Sequence, residues 1–290
     1  MNSPTPLQPT STFRYATRGA LQWRLLLLWA VAMLLPTLLM VWPFWQTLSG
    51  QLDYNLHSAA WARQLDATVI ADLMGKLTES GAAISQAGLL GVILTLLLSP
   101  WFTAAVTGAA RAERPPGLVK LIQLGMQDYG RMARMLLWAV VPLGLMGALA
   151  AGGFAMVDKM AKKAVLESDF EWLSLAVTIL AAVLMLLAHL TLDAGRAQLA
   201  VYPRRTSAVK AWWRGCKLIK ARWAASIGFY LAITVVGVGV ALAITALRIA
   251  LPQLGVVWLA LGLMLAELAV LAVGWVRIAR LLALIDLSQR

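Results

Sequence analysis

The chain has 290 residues, of which 61% are hydrophobic and only 13% are charged, and its formal net charge is +12. Soluble domains carry about 25% charge; here the charge is gathered between long uncharged stretches, such as the one from Glu171 to Asp193. This pattern excludes an ordinary water-soluble helical fold. It also excludes nucleic acid as the reason for the basic balance, because the cations sit where apolar segments end and not along one polar face.

Residues 1–22 read as a polar tail containing Pro4, Pro6 and Pro9, followed by Arg14 and Arg18. The apolar run over about 25–45 is too long for a signal-peptide core and has no small-residue cleavage site after it. It is expected to remain as the first membrane span. Pro36 and Pro43 fall inside it, as membrane helices tolerate when neighbours satisfy the freed carbonyls. Trp23, Trp29, Trp42 and Trp45 lie towards its ends, where interfacial anchors belong.

The segment 50–80 follows on the external side. Trp61, Leu65, Val69, Leu73 and Leu77 recur at helical spacing, with Ile70 and Met74 beside them and Asp66, Asp72, Lys76 and Glu79 elsewhere. That periodicity predicts an amphipathic helix. Its apolar face would lie on the outer leaflet, cap the bundle or meet a partner protein.

Five further spans are expected at about 87–109, 135–156, 172–192, 223–247 and 256–276, with a short tail over 285–290. Residues 23–284 thus form one transmembrane domain. The fold class is all-α, a polytopic integral membrane protein of six transmembrane helices with amphipathic interfacial helices. With both termini cytoplasmic, 19 basic and 4 acidic residues fall on the cytoplasmic side and 6 basic and 8 acidic on the other, leaving Glu267 within a span. The positive-inside rule selects that orientation, and the location expected is a bacterial inner (cytoplasmic) membrane.

Two cytoplasmic loops resemble each other at an offset of 90 residues: Arg114 matches Arg204, Val119-Lys120 matches Val209-Lys210, and Gly125 matches Gly215. The unit would be a span, a basic amphipathic helix and a returning span, repeated in parallel. Duplication and shared topological constraint both account for it. Arg111, Arg114, Lys120, Arg204, Arg205, Lys210, Arg214, Lys217, Lys220 and Arg222 make these loops a candidate face for anionic membrane lipid or for an acidic protein partner. Ordinary positive-inside charge is the plainer account of the same residues. The external amphipathic helix is the other candidate partner surface.

Three titratable residues fall in or beside spans. Glu267 lies in the middle of the sixth, where a carboxylate is costly; it is expected to face the bundle interior, pair with a donor or stay protonated. His189 and Asp193 are four residues apart and share a face near the end of the fourth, with Arg196 close enough to pair with Asp193. Together these form a candidate intramembrane proton or substrate site, and helix–helix hydrogen bonding is the alternative.

The chain has two histidines and one cysteine, Cys216. No HExxH, GxSxG or phosphate-loop motif occurs, so no catalytic residue, metal or cofactor is expected, nor an enzyme. The missing nucleotide motif argues against a self-contained ATP-driven pump, though not against a permease subunit. The expectation is an accessory or scaffolding membrane protein; the alternative is a transporter or lipid-handling permease subunit working around Glu267.

Overall fold

A computed structural model describes residues 9–53, 67–162, 168–204, 206–252 and 255–289. Among them the elements are all helical: α1 (Pro9–Ala20), α2 (Trp23–Leu52), α3 (Ala67–Glu79), α4 (Gly81–Arg111), α5 (Leu118–Gln127), α6 (Tyr129–Ala161), α7 (Ser168–Val201), α8 (Ala208–Ala221), α9 (Trp223–Ala250) and α10 (Val256–Gln289). Six of these, α2, α4, α6, α7, α9 and α10, are long and apolar enough to cross a membrane. The shortest membrane segment has 28 residues, about 42 Å of helix at a rise of about 1.5 Å per residue, more than a hydrocarbon core of about 30 Å requires. The protein is a polytopic helical membrane protein.

The packing follows a rule that repeats three times. α4, α7 and α10 touch one another and form the centre. α2 packs on α4, α6 on α7 and α9 on α10, each as an outer span beside the central span that follows it. The short helices α5, α8 and α1 pack on α4, α7 and α10 respectively. The chain therefore runs short helix, outer span, central span, three times over, with α3 inserted in the first round. Each short helix docks on the central span of the preceding round, and α1 closes the ring against α10. Thr12 Oγ1 donates to Asp286 Oδ2 at 2.7 Å across that closure.

Small residues make the docking possible. The buried faces of the short helices carry Ala16 and Ala20 in α1, Leu121 and Gly125 in α5, and Ala211 and Gly215 in α8, pairs four apart and hence on one face. A Cβ on Gly215 would lie 2.6 Å from the Gly195 nitrogen and 2.7 Å from the Ala194 carbonyl carbon, so here backbone meets backbone. The expected 90-residue spacing appears in the elements: the membrane segments Gly81–Arg111 and Glu171–Val201 each have 31 residues, and α5 and α8 begin 90 residues apart, at Leu118 and Ala208.

The core sits in one half of the bundle, the end that bears α1, α5 and α8. It is formed by the buried stretches around Phe102 to Gly108, Leu192 to Ala200 and Ile278 to Leu287 on the three central spans, with Leu25, Leu28, Trp29 and Met135 around them. Towards the far end the spans expose large apolar residues such as Trp45, Leu89, Leu149, Ile179 and Val236. Lipid tails are as apolar as these side chains, so burial alone does not drive them together.

One tryptophan placement differs from the anchor reading. Trp29 is buried, packs at a tilt of 56° against Phe102 with ring centroids 4.9 Å apart, and donates its Nε1–H to the Val270 carbonyl at 2.9 Å. It packs where a Cβ on Gly274 would be 2.3 Å from its ring, so the absent side chain in α10 makes its slot. Trp212 packs edge-on against Trp138 at 5.6 Å. The segment expected to hold an amphipathic helix contains α3, which leaves Ile70 and Met74 exposed; Trp61, Leu65 and Asp66 lie outside the described residues.

Candidate functional site at the basic end

The packed half of the bundle holds a polar cluster. Asp193 on α7 is buried and accepts from Arg196 Nη1 at 2.6 Å and from the Tyr230 hydroxyl of α9 at 3.3 Å. Arg280 on α10 lies over the Tyr230 ring at 4.6 Å. One turn away, Arg277 donates to Ser99 Oγ at 2.6 Å and Thr103 Oγ1 at 3.2 Å, both on α4. Its guanidinium also faces the rings of Trp29 at 5.3 Å and Phe102 at 6.0 Å. Cation–π contact and hydroxyl acceptors are what a desolvated guanidinium needs when carboxylates are scarce. The cluster joins α4 to α10 and α7 to α9, polar contacts that hold spans together where burial alone cannot.

Of the three residues singled out in the spans, only Asp193 takes part in this cluster. His189, one turn before Asp193 on α7, is exposed and, among the described residues, forms no hydrogen bond or ion pair. Glu267 is elsewhere: its side chain is exposed on α10 and, among the described residues, forms no hydrogen bond or ion pair. It does not face the bundle interior. Arg277 and Arg280 join instead, just beyond the end of the sixth span expected at about 256–276. The sequence signal for this is the apolar run from Leu281 to Ile285, which continues the helix past both arginines and is buried.

Below this cluster a second set of contacts fixes the loops. Asp128, between α5 and α6, accepts from Arg111 and from Arg131 Nη1, the latter at 2.9 Å. Burial pushes its carboxyl up, but the two guanidinium hydrogen bonds outweigh that and hold it below the ordinary carboxylate range. Arg131 is itself buried and donates to the carbonyls of Leu199 at 2.5 Å and Tyr202 at 3.1 Å. Arg134 donates to the Thr206 carbonyl at 3.2 Å. The start of α6 thus pins the link between α7 and α8.

The candidate basic residues divide accordingly. Arg111 is engaged by Asp128, and Arg222 donates to the Leu287 carbonyl at 3.3 Å. Arg114, Lys120, Lys217 and Lys220 are exposed, and Arg205 lies outside the described residues. Arg204, Lys210 and Arg214 line one pocket of about 320 Å³ with Gln198, Thr206 and Ser207. Ser207 caps α8, its side chain accepting from the Lys210 backbone N–H at 3.4 Å. Cys216, further along α8, is half-buried, and burial pushes its thiol up, away from the thiolate that reactivity needs.

The other large cavity in this half is a lateral groove of about 600 Å³ walled by residues such as Leu27, Val31, Leu97, Trp101, Ile122 and Met126. It is a seam between the outer span α2 and the short helix α5 of the next round. The corresponding seam between α9 and α1 is also open and apolar, at Phe13 and Phe229. The third, between α6 and α8, is filled by Trp138 and Trp212. Among the described residues no group of three His, Cys, Asp or Glu could hold a metal ion. Comparison with protein-family models, curated proteins and solved structures returns no match.

Proposed function

We propose that this chain is an accessory or scaffolding component of a bacterial inner membrane, with its basic end and both termini in the cytoplasm. It works by presenting a rigid cationic face to anionic lipid and to a protein partner, and no enzymatic step is part of the proposal. The observation that carries this is the division of the bundle. One half is cross-bonded by arginines and rimmed with cations, while the other is a loose set of apolar spans. Solute pathways need polar lining; the large groove in the described bundle is apolar. The test is a membrane-impermeant thiol label on Cys216 combined with photo-crosslinking from Lys217 and Lys220 in native membranes. The expected result is labelling only after the cytoplasmic side is opened, with crosslinks to one recurrent protein. Labelling of Cys216 from outside would reverse the orientation and end the proposal.

One observation favours a second reading, a lipid-handling permease subunit. The groove between α2 and α5 is open sideways, apolar, and of a size that takes an acyl chain. In this reading the groove replaces Glu267 as the working surface. Filling it with Val31→Trp would then abolish function at normal abundance, whereas the accessory reading expects no effect.

A further inference from the structure

The pocket between the end of α7 and the start of α8 combines features that the rest of the basic face lacks. Its three cations come from two kinds of backbone: Arg204 from the link, and Lys210 and Arg214 from successive turns of one α8 face. Among the described residues, no carboxylate lines the pocket, and no hydrogen bond or ion pair engages these three side chains. Other arginines of this half are satisfied internally, Arg111 by Asp128 and Arg196 by Asp193. The hydroxyls of Thr206 and Ser207 and the amide of buried Gln198 add neutral hydrogen-bonding groups.

The pocket is also built. Arg131 and Arg134 of α6 hold the carbonyls of Leu199, Tyr202 and Thr206, so the link carrying Arg204 is fixed from beneath. Its floor is the first turn of a 14-residue helix, whose amide groups favour negative charge. Three uncompensated cations, hydroxyl donors and a helix start suit a tetrahedral oxyanion better than a planar carboxylate.

Position decides the source of that oxyanion. Val209 and Trp213, flanking Lys210 and Arg214 on α8, are 47% and 57% exposed. An exposed tryptophan and valine beside cations place this helix at the level of lipid headgroups. We propose that Arg204, Lys210 and Arg214 form a binding site for the phosphate group of an anionic phospholipid, with its acyl chains alongside Val209 and Trp213. This rests on the reading that the basic face meets anionic lipid, and narrows it to one pocket.

The test uses the full chain, purified in detergent and delipidated, titrated with phosphatidylglycerol and read by native mass spectrometry. Two double variants remove equal charge from the same helix: Lys210→Gln with Arg214→Gln inside the pocket, and Lys217→Gln with Lys220→Gln outside it. Arg204→Gln, in the link, tests the pocket without touching α8, and a thermal melt confirms that each variant is folded. Lipid affinity is expected to fall at least about tenfold in the pocket variants and by less than about twofold in the outside pair. Equal losses in both pairs would overturn the pocket and leave the basic face standing; no loss in either would overturn both. Inorganic phosphate and glycerol phosphate are titrated in parallel. If they fail to displace the lipid, the site belongs to the headgroup in its membrane. If they bind without lipid, and only when the pocket is intact, the phosphate chemistry holds and the membrane source is overturned.

Discussion

The guanidinium of Arg277 and the hydroxyl of Ser99 meet at 2.6 Å, joining α10 to α4 beside the buried ring of Trp29. A charged group deep in an apolar bundle is tolerated only when it is held on several sides, and this one has two hydroxyls and two aromatic faces. Arg277→Ala removes all four contacts, including two charge-assisted hydrogen bonds. It should lower stability by about 2 kcal/mol, read as a lower melting midpoint in detergent. Ser99→Ala, which leaves Thr103 and the rings in place, should cost roughly half as much.

Asp193 and Glu267 should respond oppositely to neutralisation. Asp193→Asn leaves the Arg196 guanidinium without its charge partner in a buried setting, the costly way to break an ion pair, about 3–5 kcal/mol when fully buried. Reduced abundance in membranes and a clear loss in melting temperature are expected. Glu267→Gln removes an exposed charge with no described partner, so abundance and melting should be unchanged or slightly raised. A Glu267→Gln protein that melts well below the parent would show that this carboxylate is held by something.

The Asp128 latch predicts a particular acid response. Its carboxyl is held below its unfolded value of about 3.9 by Arg111 and Arg131. A depressed folded pKa contributes stability that is present above the unfolded pKa and lost as pH falls through the folded one. Melting temperature should therefore be insensitive to this group from neutral pH down to about 5 and decline below about 4. In Asp128→Asn the midpoint should be lower at neutral pH and the acid decline shallower. An unchanged acid limb would remove Asp128 as its source.

Glycine substitutions separate the docking contacts from the lipid-facing surface. Gly215→Ala drives a methyl into the Gly195 and Ala194 backbone, which no rotamer change relieves; a loss of about 1–3 kcal/mol is expected. Gly239→Ala meets nothing within 4 Å and lies inside α9, so it should be neutral or stabilise by up to about 1 kcal/mol through helix propensity. Equal effects at both positions would contradict backbone contact between α7 and α8.

The six spans were legible in the sequence because membrane crossing requires length and apolarity, which composition displays directly. The short basic helices were legible too, through their spacing and the Gly125 and Gly215 match. The threefold pattern was not, because one set of packed partners is split between the chain ends, α1 and α2 at the start and α10 at the end, and α3 interrupts the first round. The contacts of Arg277 and Arg280 were hidden for a related reason: an arginine at the end of an apolar run looks the same whether water or Ser99 lies beside it. Glu267 drew attention because depth is readable from sequence, whereas the direction a side chain faces on a helix that is apolar all round is not. The pocket at Arg204, Lys210 and Arg214 could be named only as part of a wider face, since selecting three cations out of ten depends on which ones the fold has already neutralised.

The closure of the ring by α1 against α10 imposes an order on biosynthesis. α1 leaves the ribosome before α10, on which it docks, and Thr12 meets Asp286 only after the intervening chain has been inserted. Until then Ala16 and Ala20 have no surface to cover, and the central trio lacks a member. A nascent chain arrested before α10 is thus unsealed at both ends, giving membrane quality control a clear mark by which to tell an unfinished molecule from a finished one.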